Sequence, residues 1–217
     1  MGFERARGRF FALTAERLAQ RLIGCRLVRV LADGTRLSGV IVETEAYIGP
    51  EDACSHAAGG RRTARTETMF MRPGTAYVYF TYGMHHCVNV VCDREGHPAA
   101  VLLRALEPHD GVEAMRAVST PGLKEHVLCS GPGRLCKAMA IDRTLDATDL
   151  TSSSAMWIER PQRRSVVTLI NTPRIGVSGG GRDADPVASV WVRRALRWAA
   201  ADSRSVSGGG GLNPGRR

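Results

Sequence analysis

CRLVRVLADGTRLSGVIVETEAY, residues 25–47, holds two apolar runs separated by Asp33-Gly34. An Asp-Gly pair between such runs is a strong hairpin signal, because both residues tolerate the positive φ of a tight turn. Cys25 to Leu31 therefore reads as one strand and Arg36 to Tyr47 as its return. Side chains alternate along a strand, so Glu43, Glu45 and Tyr47 share one face while Val42, Thr44 and Ala46 share the other. A carboxylate in an otherwise apolar strand needs water or a partner. If the site is partly desolvated, its pKa rises and it becomes a better base. The competing reading is an edge strand with a solvated acidic face.

The sequence before this hairpin gives a basic, aromatic segment over 1–12, expected as a loose arm. A helix is expected from Ala15 to Ile23, with Thr14 as its cap, Leu18 and Leu22 on one face and Gly24 as its stop. Beyond the hairpin, Gly49-Pro50 opens a loop to about Pro73 that carries Arg61, Arg62, Arg65 and Arg72. A loop of that length inside a compact domain is more often functional than idle. Strands are expected over 75–81, 85–92 and 99–106, with turns at Tyr82-Gly83 and Glu95-Gly96. Helices follow over 110–118 and from near Ser130 to Ile141, the second with Pro132 in its first turn. Short strands are expected at 155–159, 165–170 and 174–177, then an apolar stretch over 187–200. The Gly/Ser/Arg-rich tail 201–217 reads as disordered. The sum is α+β: a single mixed domain over 1–200, built on a twisted, mainly antiparallel sheet with flanking helices.

The 217 residues carry a net charge of +9, with a pI near 9.9. That excess points to a polyanionic partner, most commonly nucleic acid. Only Lys124 and Lys137 are lysines, and such an arginine skew also fits a GC-rich genome, so charge alone does not decide. The six cysteines form no CxxC pair, which argues against a zinc site or a thioredoxin-type motif. No metal site is expected. His85 and His86 are adjacent, so on a strand they face opposite ways. The N-terminus has no apolar signal segment, and Ala6 stands where a myristoylation motif wants Ser or Thr. No run approaches a membrane span. A reducing, cytoplasmic setting is the expectation.

Several residues could carry chemistry. All four tyrosines, Tyr47, Tyr77, Tyr79 and Tyr82, fall in one window with His56, Phe70, Phe80 and the arginine-rich loop. Aromatics interleaved with arginine suit base stacking and phosphate neutralisation, although tyrosine also favours plain strand cores. Arg104, inside the apolar run VLLRALEP, calls for an anion. Glu45 is one candidate, a bound phosphate another, and a purely structural ion pair a third. Asn89, inside HHCVNVV, shares a face with Cys87 and Val91 and must be hydrogen-bonded to backbone or to a ligand.

IVETEAYIGPEDACSH, MFMRPGTAYVYFTYGMHHCVNVV, VLLRALEP, LCSGPGRLCKAMAI and RIGV, in this order and spacing, resemble the alkyladenine (3-methyladenine) DNA glycosylase family. The resemblance covers roughly residues 12 to 178. After RIGV the family usually runs into an aromatic strand and a small-residue turn, whereas this chain continues SGGGRDADPVASVWVRRALRWAA.

The resemblance implies an enzyme of base-excision repair. It would flip an alkylated or deaminated purine (3-methyladenine or hypoxanthine type) out of double-stranded DNA and hydrolyse its bond to the sugar. Glu45 matches the general base that activates water, and Arg104 a residue that positions that water and the nearby phosphate. Ile175 lies where a backbone carbonyl also holds the water. Tyr47, His56 and Tyr79 match the aromatic walls around the flipped base, and Asn89 a gate against the exocyclic amino group of guanine. Tyr82, at the tip of a protruding hairpin, matches the side chain that enters the minor groove and fills the gap.

Extrusion costs a few kcal/mol, which such a plug partly offsets. An aromatic sandwich favours a cationic alkylated purine. Glycosylases that also cut the backbone usually form a Schiff base through an amine. Neither lysine lies near the Glu45–Tyr82 window, so a monofunctional enzyme is expected. No cofactor is expected, and the partner is damaged duplex DNA bound by a monomer. Two other readings compete: a non-catalytic module that senses damaged DNA with the same wedge and pocket, and an RNA-binding basic domain.

Overall fold

The Asp33-Gly34 turn forms as its residues dictate: Gly34 has φ +85° and the Thr35 amide donates to Asp33 Oδ1 at 2.9 Å. In the computed structural model, which describes residues 2–163, 168–174 and 189–193, this turn joins two of nine strands. They are β1 (Phe3–Arg5), β2 (Arg26–Val30), β3 (Arg36–Tyr47), β4 (Ala76–Thr81), β5 (His85–Cys92), β6 (Ala99–Asp110), β7 (Met156–Pro161), β8 (Leu169–Pro173) and β9 (Ser189–Arg193). The helices are α1 (Ala15–Leu22), α2 (Val112–Ala117) and α3 (Pro132–Ala138). The fold is α+β. Seven strands run in the order β1-β7-β2-β3-β6-β5-β4, all paired antiparallel.

β3 is the spine of this sheet. One edge pairs with β6 along most of its length. The other edge pairs with β2 over Arg36–Val40 and with β9 over Glu43–Glu45. Glu45 thus stands opposite Leu102 on one side and Val190 on the other. That rules out the edge-strand reading of the acidic face.

The two faces of the sheet have different tasks. Val78, Val88, Val90, Val101 and Leu103 point into the main core, where α1 buries Ala15, Leu18, Ala19 and Leu22. That spacing is one face of a helix, and each buried leucine contributes about 1.5–3 kcal/mol. Ala46 joins this core and Thr44 Oγ1 donates to the Ala19 carbonyl at 3.0 Å, so their face of β3 packs on α1. On the opposite face Tyr77, Val91 and Ala100 pack against Ala57, Met69 and Phe70 from the 49–73 loop. That loop contains only two short 3-10 turns, Ala58–Gly60 and Glu67–Phe70.

Several expectations change. Within the segment expected as a loose arm, the described residues 2–12 are anchored: β1 pairs with β7, and Ala6 and Phe11 are fully buried. The apolar side chains of this segment outweigh its charges. Thr14 holds the N-cap position of α1 without a side-chain capping bond. β6 runs on to Asp110, which delays α2 to Val112, and α3 is shorter at both ends than expected. The stretch 187–200 supplies β9, which pairs with β8 and β3. The strand expected at 165–170 is β8 at 169–173, with 164–167 outside the described residues. The strand expected at 174–177, the Ile175 position and the tail 201–217 lie outside them as well, except Arg174, which is in no strand. No described helix is long and apolar enough to cross a membrane.

Candidate active site

The loop-covered face of the sheet carries the site, and alternation builds it. β3 presents Glu43, Glu45 and Tyr47, β6 presents Arg104, β4 presents Tyr77 and Tyr79, and β5 presents Cys87 and Asn89. Arg104 bridges both carboxylates: Nε donates to Glu43 Oε1 at 2.7 Å and Nη1 to Glu45 Oε2 at 2.7 Å. The Glu45 carboxylate is one of the anions open to Arg104 from sequence, and Glu43 shares the guanidinium with it. Burial works against the Arg104 charge, but Glu45 and Glu43 outweigh it and hold the guanidinium above its ordinary range. The Tyr47 hydroxyl donates to Glu45 Oε1. Burial first, and Glu45 second, push the Tyr47 phenol far up, so it acts as a donor and not as a base. Glu45 is only 1% exposed and both of its oxygens are engaged.

His56 comes from the long loop. Its Nδ1 shares a 2.9 Å hydrogen bond with the Tyr77 hydroxyl, and Arg65 Nη2 lies 3.2 Å from its Nε2. A guanidinium can only donate, so Nε2 accepts and the ring proton sits on Nδ1, donated to Tyr77. Burial, with Arg65 adding to it, lowers the His56 pKa to about 4, which keeps the ring neutral at physiological pH. Burial pushes the Tyr77 phenol up to about 12. His56 and Tyr79 meet edge to face with centroids 4.5 Å apart. Asn89 is buried, and its Nδ2 donates to the Tyr77 carbonyl at 3.1 Å.

Two cavities meet on these residues. A small pit of about 30 Å³ is lined by Tyr47, His56, Tyr77, Tyr79 and Asn89, among others. It has room for about one water. A groove of about 650 Å³ runs past Glu45, Tyr47, His56, Tyr79 and Arg104 and reaches Tyr82 and His85 at the hairpin tip. Its far wall is the Gly131–Arg134 segment with Lys137. The tip itself is Tyr82-Gly83 with φ +50° and +67°, and the Met84 amide donates to the Thr81 carbonyl at 3.1 Å. Gly83 adopts this backbone freely, but Tyr82 is strained there. Tyr82 is 86% exposed, flanked by the exposed apolar side chains of Phe80 and Met84. A monomeric surface seldom leaves such a tip bare without a partner for it.

A neutral aromatic wall, a buried carboxylate and a protruding aromatic tip thus lie along one groove. A sequence profile described as methylpurine-DNA glycosylase matches residues 9–204. The chain belongs to this family. It is 46% identical over 208 residues to a protein of Mus musculus named DNA-3-methyladenine glycosylase, covering 91% of this chain and 60% of the mouse protein. It is 44% identical to the Homo sapiens protein of the same name, covering 91% of this chain and 66% of that one. A putative 3-methyladenine DNA glycosylase of Methanocella arvoryzae is 46% identical over 167 residues, 77% of this chain and 82% of the relative. The chain thus spans under two thirds of the length of these two mammalian relatives. The family match runs well past residue 178, where the resemblance read from sequence ends.

Glu45, Arg104, Tyr47, His56, Tyr79 and Tyr82 therefore share one groove, and Asn89 joins three of them at the pit. Other contributors were not singled out from sequence. Glu43 shares Arg104, and strand alternation was its only signal. Tyr77 and Arg65 fix the His56 ring. Lys137 lines the groove although it is far from the Glu45–Tyr82 window in sequence, so distance along the chain does not keep an amine from the site. Arg174 and Asp52 form a buried pair whose partners are 122 residues apart, with no local sequence signal.

Proposed function

We propose that this protein is a DNA base-excision repair glycosylase that removes alkylated or deaminated purines from double-stranded DNA and acts as a monomer. The observation that carries the proposal is the buried Glu45, hydrogen-bonded by Arg104 and Tyr47 on the wall of a groove that ends at the exposed Tyr82. Tyr82 enters the minor groove and takes the place of the extruded nucleotide. Tyr47, His56 and Tyr79 stack on the flipped base. Asn89, fixed by the Tyr77 carbonyl, opposes the exocyclic amino group of guanine.

Glu45 takes a proton from a water molecule as its oxygen bonds to C1′ of the sugar, and the electron pair of the N-glycosidic bond leaves with the purine. Arg104 orients the carboxylate; Ile175, the position the resemblance gives for a carbonyl that also holds the water, lies outside the described residues. A cationic alkylated purine leaves without further protonation, whereas hypoxanthine needs a proton. The product is an abasic site with an intact backbone, because a carboxylate activates water and forms no imine.

Duplex DNA carrying 3-methyladenine or hypoxanthine tests this directly. Release of the free base is expected, slowed about 10²–10⁴-fold in Glu45→Gln with duplex binding retained. Binding without release by the unmodified protein would instead establish a damage-sensing module. Equal affinity for single-stranded RNA would favour an RNA-binding role.

A further inference from the structure

Tyr47 is already engaged on one side before any substrate arrives. The Arg174 side chain is 4% exposed, and its guanidinium carbon lies 4.3 Å from the centroid of the Tyr47 ring. Tyr47 lines both the pit and the groove, whereas Arg174 lines neither, so the cation backs the ring from the protein side. Its place is fixed: Nη1 donates to Asp52 Oδ1 at 2.8 Å and Nη2 to the Ala46 carbonyl at 2.7 Å. Asp52 in turn accepts from the Ile48 and Cys54 amides, at the start of the loop that carries His56.

An aromatic face attracts a cation because of the ring quadrupole. A ring already holding one cation offers less to a second, and the two like charges repel through it. We propose that Arg174 sets lesion preference: by backing Tyr47 with positive charge it weakens this wall's grip on cationic N-alkylated purines and shifts selectivity towards neutral purines such as hypoxanthine. Asp52 is the counterweight, cancelling part of the Arg174 field. Arg174 touches no reacting atom and acts through Tyr47, as a positioning residue. The inference rests on the reading that a flipped purine stacks on Tyr47.

The readout is the ratio of single-turnover release rates for 3-methyladenine and hypoxanthine, which does not depend on the folded fraction of a preparation. In Asp52→Asn, Arg174 loses its counter-charge and the ratio falls. In the double variant Asp52→Asn/Arg174→Gln, neutral amides replace the pair, and the ratio rises above that of the unmodified protein. The expected rise is about threefold to tenfold, the size of a partly buried cation–π contact. A purely structural role would lower both rates together and leave the ratio alone. Equal ratios in the three proteins, or a shift of both variants in one direction, overturn the proposal. If the unmodified protein releases neither base, the glycosylase reading fails and this inference fails with it.

Discussion

On the wall of the groove, Glu45 is buried between two neighbouring strands and bound by Arg104 and Tyr47. At the hairpin tip Tyr82 is almost fully exposed, with a left-handed backbone and no hydrogen bond to the described residues. The first region is assembled by folding and has its geometry before DNA arrives. The second is left open to solvent, and under the proposed function it acquires its contacts from DNA. Substitutions on the wall should therefore cost stability and chemistry together, whereas substitutions at the tip should cost function and leave stability intact.

The harshest test of the wall is Arg104→Met. It leaves Glu43 and Glu45 buried without their shared counter-charge, and a loss of about 3–5 kcal/mol is expected from the urea midpoint. A loss under about 1 kcal/mol would mean that the wall is not held together by this pair. The tip is tested by Tyr82→Gly. Glycine accepts the positive φ, so stability should hold or rise by about 1 kcal/mol. Release of hypoxanthine from duplex should nevertheless fall about tenfold, or ~1.4 kcal/mol. Unchanged release by this variant, or by Tyr82→Ala, would remove the wedge assignment.

His56 sharpens the contrast through pH. Its pKa falls from an ordinary 6.5 to about 4 in the fold. Between those values the unfolded chain binds a proton that the folded chain does not, so stability falls as pH drops through that window. His56→Gln should remove that part of the slope, while Tyr82→Gly should leave it in place. Lys137→Arg carries the smallest expected effect. It keeps the groove charge but cannot form an imine, so base release should stay within about twofold. Borohydride should trap no covalent DNA adduct in either protein. An adduct lost in Lys137→Arg would show strand-cleaving chemistry.

Local signals explain what was legible from sequence. Asp33-Gly34 and strict alternation are short-range features, so β2, β3 and β5 could be read directly, as could the shared face of Glu43, Glu45 and Tyr47. β1 was missed because three residues with a charge in the middle carry no period. β9 has no legible bounds because SVWVR runs straight into RALRWAA, so only one apolar stretch over 187–200 shows. The Arg104 bridge was half legible: burial demanded an anion, but two carboxylates could not be told from one. Long-range partners gave no trace. Asp52 with Arg174, His56 with Tyr77, and Lys137 on the groove wall are products of the sheet order, which brings distant strands and loops to one face.

The placement of β3 has one more consequence. Because it is paired along both edges, the amides of Glu43 to Glu45 lie deep inside two ladders at once. Their hydrogen exchange should wait for global opening, while the amides of Gly83 and Met84 at the tip exchange at near-coil rates. The carboxylate proposed to activate water thus sits on a strand expected to open late among the described segments. A partly melted molecule would lose the order of its exposed tip well before the strand that carries Glu45 came apart.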